Sequence, residues 1–349
     1  MSYDSAGIVV VENAAVGDGV PVMTVDAQRP LVVIGRQSGD SLFSLFRVLD
    51  ARMLSDNRIV VANGPELLWF SRDGLFLNRA GGRGSGPSEF RAVAGVEVLP
   101  EDTVVAFDRV PPSAKYFGPS GDFVKAVRFP PLPLGVARVA SGAWIGLQRL
   151  RATPPQTTSE FTEDWFVVRH AVGGEVLDTI VLVSGERYYG SVRGSVRIAG
   201  TPRAYVSARG DRIVAASSAT YAIDVFDSTG TQLQVIRNRL PNPEYVAASE
   251  SETQPPRSAE SGSLAGLDPP VPEHAPAFDR LLLSNAGELW VRRDGGQTWH
   301  VYGRTGALTA SAWLPPEFRP TEIGEGWLLG VWTDELDTES IRLFELIPS

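Results

Sequence analysis

Apolar residues in this chain come in short runs separated by polar turn-formers, not at helical spacing. Three stretches show the pattern: Leu54-Ser-Asp-Asn-Arg-Ile-Val-Val61, Leu99-Pro-Glu-Asp-Thr-Val-Val105 and Ala208-Arg-Gly-Asp-Arg-Ile-Val214. Each reads as a strand end, a turn and the start of a second strand. A second unit follows the same logic. An aromatic residue, three intervening residues and a glycine recur as Phe70-Ser-Arg-Asp-Gly74, Phe117-Gly-Pro-Ser-Gly121, Phe226-Asp-Ser-Thr-Gly230 and Tyr302-Gly-Arg-Thr-Gly306, with a weaker copy at His170-Ala-Val-Gly-Gly174. Flanked by Val, Ile, Leu and aromatic residues, these predict hairpins whose glycine supplies a left-handed backbone. No strongly periodic helix longer than two turns is evident.

The units repeat with a period of about 40–50 residues, the signature of a radial or solenoid array. A marker precedes most of them at a near-constant interval: Phe46-Arg47, Phe90-Arg91, Phe278-Asp-Arg280 and Phe318-Arg319 stand before Phe70, Phe117, Tyr302 and Phe344. Pro87-Ser-Glu-Phe-Arg91 and Pro315-Pro-Glu-Phe-Arg319 are near-copies. Six units result, roughly 44–82, 88–130, 134–182, 202–238, 276–314 and 317–347. The sixth lacks a terminal glycine hairpin. Its missing outer strand is expected from the N-terminal stretch 22–35, around Leu31-Val-Val-Ile34, pairing with the C-terminal unit. Such closure leaves only short, protected sheet edges. The expected fold is an all-β, six-bladed β-propeller of four-stranded blades in a single domain, 1–349.

The Gly84–Phe90 segment, Ile59-Val-Val-Ala-Asn63 and the aromatic-x3-Gly hairpins resemble the six-bladed propellers related to NHL-repeat proteins. The opening Asp4–Asn13 resembles the start of the mature part of such bacterial proteins. The resemblance covers the whole chain. It implies an exported or lipid-anchored protein, and it specifies fold far more than function. The first residues accordingly read as a trimmed start from which an export signal has been removed.

Two stretches depart from the compact pattern. Residues 238–274 form a Pro-, Ser- and Glu-rich insertion, whose composition fits disorder and whose place between two blades fits a lid. Residues 151–162 interrupt the third unit, and Ser184–Pro202, with Tyr188, Tyr189, Arg187, Arg193 and Arg197, reads as an interblade loop.

Charge and composition narrow the chemistry. The 349 residues carry a net charge of -9, which opposes a nucleic-acid partner because phosphate binding needs a basic footprint. There are no cysteines, so disulfides, thiolate metal sites and cysteine nucleophiles are excluded. No apolar run is long enough for a membrane-spanning helix. The glycine run Gly81–Gly86 lacks the Lys-Ser/Thr of a phosphate loop and leads into strand-like sequence. Three histidines, His170, His274 and His300, are too scattered for a zinc site, and no Gly-x-Ser-x-Gly elbow occurs. Of the three, His274 in the insertion is the one worth testing for function. The tryptophans and most aromatic residues fall at strand positions and read as packing.

The arginines are the more suggestive set. Arg47, Arg91, Arg203, Arg280 and Arg319 fall near the start of inner strands, which in a propeller converge on the mouth of the central channel. Guanidinium groups there would bind carboxylates, phosphates or sugar acids bidentately. The leading expectation is a non-catalytic binding module outside the cytoplasm, taking a small anionic or carbohydrate ligand or a protein partner, with no cofactor. The alternative, suggested by propellers of related fold, is a calcium-dependent hydrolase, lactonase or lyase at the channel mouth. Asp50, Asp279, Asn285 and Glu322 are its weak candidate ligands. A pure scaffold is the third class.

Overall fold

Runs that are apolar at every position, such as Ile59-Val-Val-Ala62, become strands covered on both faces, because sheets stack against each other on either side. A computed structural model describes residues 1–14, 19–35, 45–129, 134–150, 152–244, 267–293 and 296–349. Most of the 238–274 insertion lies outside the described residues. The fold is all-β; one turn of 3-10 helix at Pro100–Asp102 is the helical element among them.

Among the described residues six sheets follow one another in chain order. The first holds Val48–Met53, Ile59–Asn63, Glu66–Phe70 and Phe76–Gly81; the second holds Val93–Val98, Val104–Arg109, Pro112–Phe117 and Phe123–Arg128. The third holds Leu134–Arg138, Trp144–Leu150, Ser159–His170, Val176–Ser191 and Gly194–Arg197. The fourth begins Ala204–Arg209, Arg212–Ser217, Ala222–Asp227, Gln232–Asn238; the fifth begins Arg280–Leu283, Leu289–Arg292, Thr298–Tyr302, Leu308–Trp313. The sixth holds Phe318–Gly324, Trp327–Thr333 and Glu339–Glu345.

The N-terminal residues add strands to three of these sheets. Ile8–Asn13 runs parallel to Gln232–Asn238 in the fourth, with Ser2–Ser5 antiparallel beside it. Val22–Thr24 runs parallel to Leu308–Trp313 in the fifth. Val32–Ile34 pairs antiparallel with Glu339–Glu345 in the sixth, in the register Ile34–Ile341 and Val32–Leu343. The stretch 22–35 therefore divides between two sheets and is not one strand. The third sheet also corrects the sequence reading. Residues 184–191 and 194–197 are strands joined by a tight turn and not an interblade loop, because Tyr188, Tyr189 and their neighbours pair with Ser159–Glu163 to lengthen one hairpin.

Six apolar clusters fill the space between sheets. Trp69, Phe90 and Phe117 pack between the first and second, and Phe107, Phe129 and Trp144 between the second and third. Others join the third to the fourth, the fourth to the fifth and the fifth to the sixth. A last one joins Val48, Ile59 and Phe70 of the first sheet to Leu329, Val331 and Ile341 of the sixth. Each large side chain so buried stabilises the stack by about 2–3 kcal/mol. Trp313, 46% exposed, is an aromatic residue that does not join this packing.

The aromatic-x3-Gly hairpins explain their own glycine. Gly174 has φ +90, and a Cβ there would sit 2.3 Å from the carbonyl oxygen of Arg128 in the preceding sheet. The turn thus needs both a left-handed backbone and the absence of a side chain. The other turns seat the same way. Gly121 lies against Trp69, Gly230 against Ile180, Gly306 against Gln234, and Gly74 against Val32 of the sixth sheet.

Two of the histidines are structural. His170 is buried, with Nδ1 3.2 Å from the Gly174 carbonyl. His300 is 4% exposed, stacks on Tyr221 and lies with Nδ1 2.9 Å from the Tyr221 hydroxyl. Burial, reinforced by Arg293, pulls its pKa down to about 4. The folded value lies below the unfolded one, so its contribution is complete above about pH 6.5 and disappears as pH falls towards 4. This amounts to about 3 kcal/mol. Urea midpoints measured at pH 7.5 and 4.5 should differ clearly less in His300→Gln than in the wild type. Equal differences would show that His300 does not carry the effect. His274 is exposed and bridges Glu244 through its backbone.

Candidate functional site

The first strands of all six sheets contribute to one cavity of about 290 Å³. Its wall is apolar along Val136, Phe107 and Leu281–Leu283, and charged on the side of the first, second, fourth and sixth sheets. There the side chains form one network. Arg52 donates to Asp50 Oδ1 at 2.6 Å, to Glu97 Oε2 at 3.3 Å and to the Thr321 carbonyl at 2.6 Å. Arg209 reaches across from the fourth sheet to Glu322 Oε1 at 2.5 Å and to Asn285 Oδ1 at 2.8 Å. Glu322 also accepts from the Met53 backbone N–H at 2.7 Å. Burial raises the pKa of Asp50, and Arg52 and the Val96 N–H work against it. Glu97 is raised for the same reason, against Arg52 and Arg209. Burial pulls Arg52 down, but Asp50, Glu97 and Glu322 outweigh it and hold the guanidinium above its ordinary value.

Of the candidate calcium ligands, then, Asp50 and Glu322 face guanidinium groups, and Asn285 joins Glu322 and Arg209. Asp279 lies elsewhere, held by Arg292 through Nε at 2.7 Å and Nη2 at 2.5 Å. Among the described residues no group of three or more His, Asp or Glu is arranged to hold a metal. Arginine takes Asp50 Oδ1, Glu97 Oε2 and Glu322 Oε1, and backbone N–H groups take Asp50 Oδ2 and Glu322 Oε2.

A second cavity, of about 310 Å³, opens where the first strands of the fourth and fifth sheets begin. Arg197, Arg203, Arg280 and Arg292 line it, with Asp279 and Tyr205. Arg280 and Arg292 are direct cross-strand partners, placed opposite each other by the hairpin turn at 284–288. Glu186, from the long third-sheet hairpin, lies 3.6 Å from Arg203 and 3.9 Å from Arg197. The Arg280 Nε is buried without a hydrogen-bond partner. Burial, then the charges of Arg319 and Arg292, bring its pKa down to about 10. Four guanidinium groups therefore share two carboxylates.

The five arginines singled out in the sequence separate. Arg203 and Arg280 share this second cavity. Arg319 donates to the Val48 carbonyl at 2.9 Å, at the seam between the sixth and first sheets. Arg91 is exposed and donates to Ser85 Oγ, and Arg47 is exposed at a turn with φ +59. None of the five lines the central cavity. Sequence reasoning missed Arg52, Glu97 and Arg209, although a signal existed: Arg52, Glu97 and Glu322 each stand fifth in the first strand of their sheet.

No family model and no curated protein matches the chain. Among solved structures, an exported protein of Bacteroides fragilis aligns over 97% of this chain and 99% of its own, with TM-score 0.56 at 12% identity. Virginiamycin B lyase of Staphylococcus aureus aligns over 88% and 87%, with TM-score 0.43 at 10% identity. U3-55K aligns over 92% and 99%, with TM-score 0.46 at 11% identity. The likeness to the Bacteroides protein is one of fold, and the architecture is all-β and propeller-like.

Proposed function

We propose that the six sheets close into a six-bladed propeller of the NHL-like kind, and that the protein is a non-catalytic, extracytoplasmic binding module. Its ligand is anionic, a carboxylate or sugar acid, held by Arg197, Arg203, Arg280 and Arg292. Closure is supported by the cluster joining the first and sixth sheets and by the cavity to which all six first strands contribute. Likeness to an exported protein supports the compartment.

One observation carries the binding reading: Arg280 keeps a buried Nε with no partner, while Asp279 beside it is committed to Arg292. A buried cation short of counter-charge is stabilised by an incoming anion, and planar guanidinium groups match carboxylate geometry. Isothermal titration with a uronic-acid oligosaccharide and with citrate provides the test. Arg280→Ala and Arg203→Ala should each weaken binding at least tenfold while leaving the melting temperature within a few degrees. Affinity unchanged in both variants would remove the proposal.

A further inference from the structure

A separate cavity of about 360 Å³ lies between the fourth and fifth sheets, at the opposite end of their strands from Arg203 and Arg280. Arg212, Arg304, Asp211, Gln234 and Thr305 line it. Arg212 is 4% exposed, a full guanidinium inside the protein. Its Nη1 donates to the Gly287 carbonyl at 2.7 Å, and its Nη2 is buried with no partner. Arg304 also approaches this glycine. A Cβ on Gly287, whose φ is +81, would sit 2.3 Å from the Arg304 Nη1. The missing side chain is what lets the second cation close in.

The counter-charge does not match this convergence. Asp211 accepts from Arg304 Nη2 at 2.7 and 2.9 Å and is itself largely exposed. No ion pair within 4.0 Å joins Arg212 to a carboxylate among the described residues. Burial first, then repulsion from Arg304, brings the Arg212 pKa down to about 10, with Asp211 opposing. A desolvated guanidinium facing a like charge is costly unless something negative completes the site. Gln234 and Thr305, already linked by a 2.6 Å bond from Gln234 Nε2 to the Thr305 carbonyl, supply polar wall.

We propose that this cavity is an anion site, distinct from the one above, which takes a small inorganic oxyanion, phosphate or sulfate, between Arg212 and Arg304. Two forked donors, one at a strand start and one in a hairpin turn, fit the tetrahedral oxygens of such an ion, and the cavity is open enough to admit it.

Calorimetric titration of the 349-residue chain with sodium phosphate, against sodium chloride of equal ionic strength, tests this. The wild type should bind phosphate beyond the chloride control. Arg304→Gln, a change at a half-exposed side chain, and Arg212→Met should each weaken that binding at least tenfold. Arg280→Ala should leave it untouched, which separates this site from the proposed carboxylate site. Without phosphate, Arg212→Met should melt higher than the wild type, because it removes a charge with no counter-ion. Should Arg212→Met fail to fold, Arg304→Gln decides alone. Phosphate binding no stronger than chloride, unchanged binding in Arg304→Gln, or loss only in Arg280→Ala would each overturn the assignment.

Discussion

Replacing Arg52 with methionine is expected to cost about 3–5 kcal/mol of stability at pH 7, the usual penalty for stripping one partner from a buried ion network. Arg52 bonds Asp50, Glu97 and the Thr321 carbonyl, and so ties the first sheet to the second and the sixth. Methionine fills most of the space but leaves the Asp50 and Glu97 carboxylates without their main cation. The pH dependence follows from the direction of their shifts. Burial raises both folded pKa values, against the pull of Arg52. Stability linked to such groups is present below the unfolded carboxylate range and is lost as pH rises through the folded value. Without Arg52 that loss grows, because the opposing attraction is gone. The variant's deficit should therefore be largest near neutrality and shrink towards pH 4. Urea unfolding followed by tryptophan fluorescence at both pH values measures it. A deficit under about 1 kcal/mol, as for an exposed pair, or one that widens on acidification, would show that the network is not what holds these sheets.

That network also marks the boundary of what the chain reveals before it folds. The glycine hairpins are legible because their chemistry is local: Gly174 must be left-handed whatever lies beyond it. The surface on which each turn lands is not legible, since Arg128 or Val32 becomes a neighbour only when sheets stack. Arg203 and Arg280 stand out in sequence by their place near strand starts, and they do share a cavity. Arg292 joins them only once the 284–288 turn sets the hairpin register, and Arg197 only through a hairpin whose Tyr, Arg and Glu content resembles a loop. Arg91 shows the converse. It too falls near the start of an inner strand, but a serine six residues earlier in the chain captures its guanidinium. Short-range partners of this kind defeat any argument from repeat position alone. The pairing of the central charges was hidden for a different reason. Arg52 and Glu322 attract each other only if strands from opposite ends of the chain become neighbours.

The junction of those two ends gives the second large effect. Ile34, 2% exposed, lies in the strand Val32–Ile34 and packs in the cluster that contains Val48 and Ile59 of the first sheet and Ile341 of the sixth. Truncation to alanine leaves a cavity shared by both sheets, and Ile34→Ala should cost about 3 kcal/mol. Where that cost appears bears on the architecture. The first sheet touches Val32 through the Gly74 turn, and receives hydrogen bonds or gives them at Val48, Ala51 and Met53 from the sixth. In a closed ring, opening this seam exposes both sheets together, because neither has another neighbour on that side. Amide hydrogen exchange at Ile59–Asn63 and at Trp327–Thr333 should then accelerate in parallel in the variant, by up to about a hundredfold if exchange runs through seam opening. Acceleration confined to Trp327–Thr333, with Ile59–Asn63 still protected as in the wild type, would mean that Val32–Ile34 completes the sixth sheet without joining it to the first.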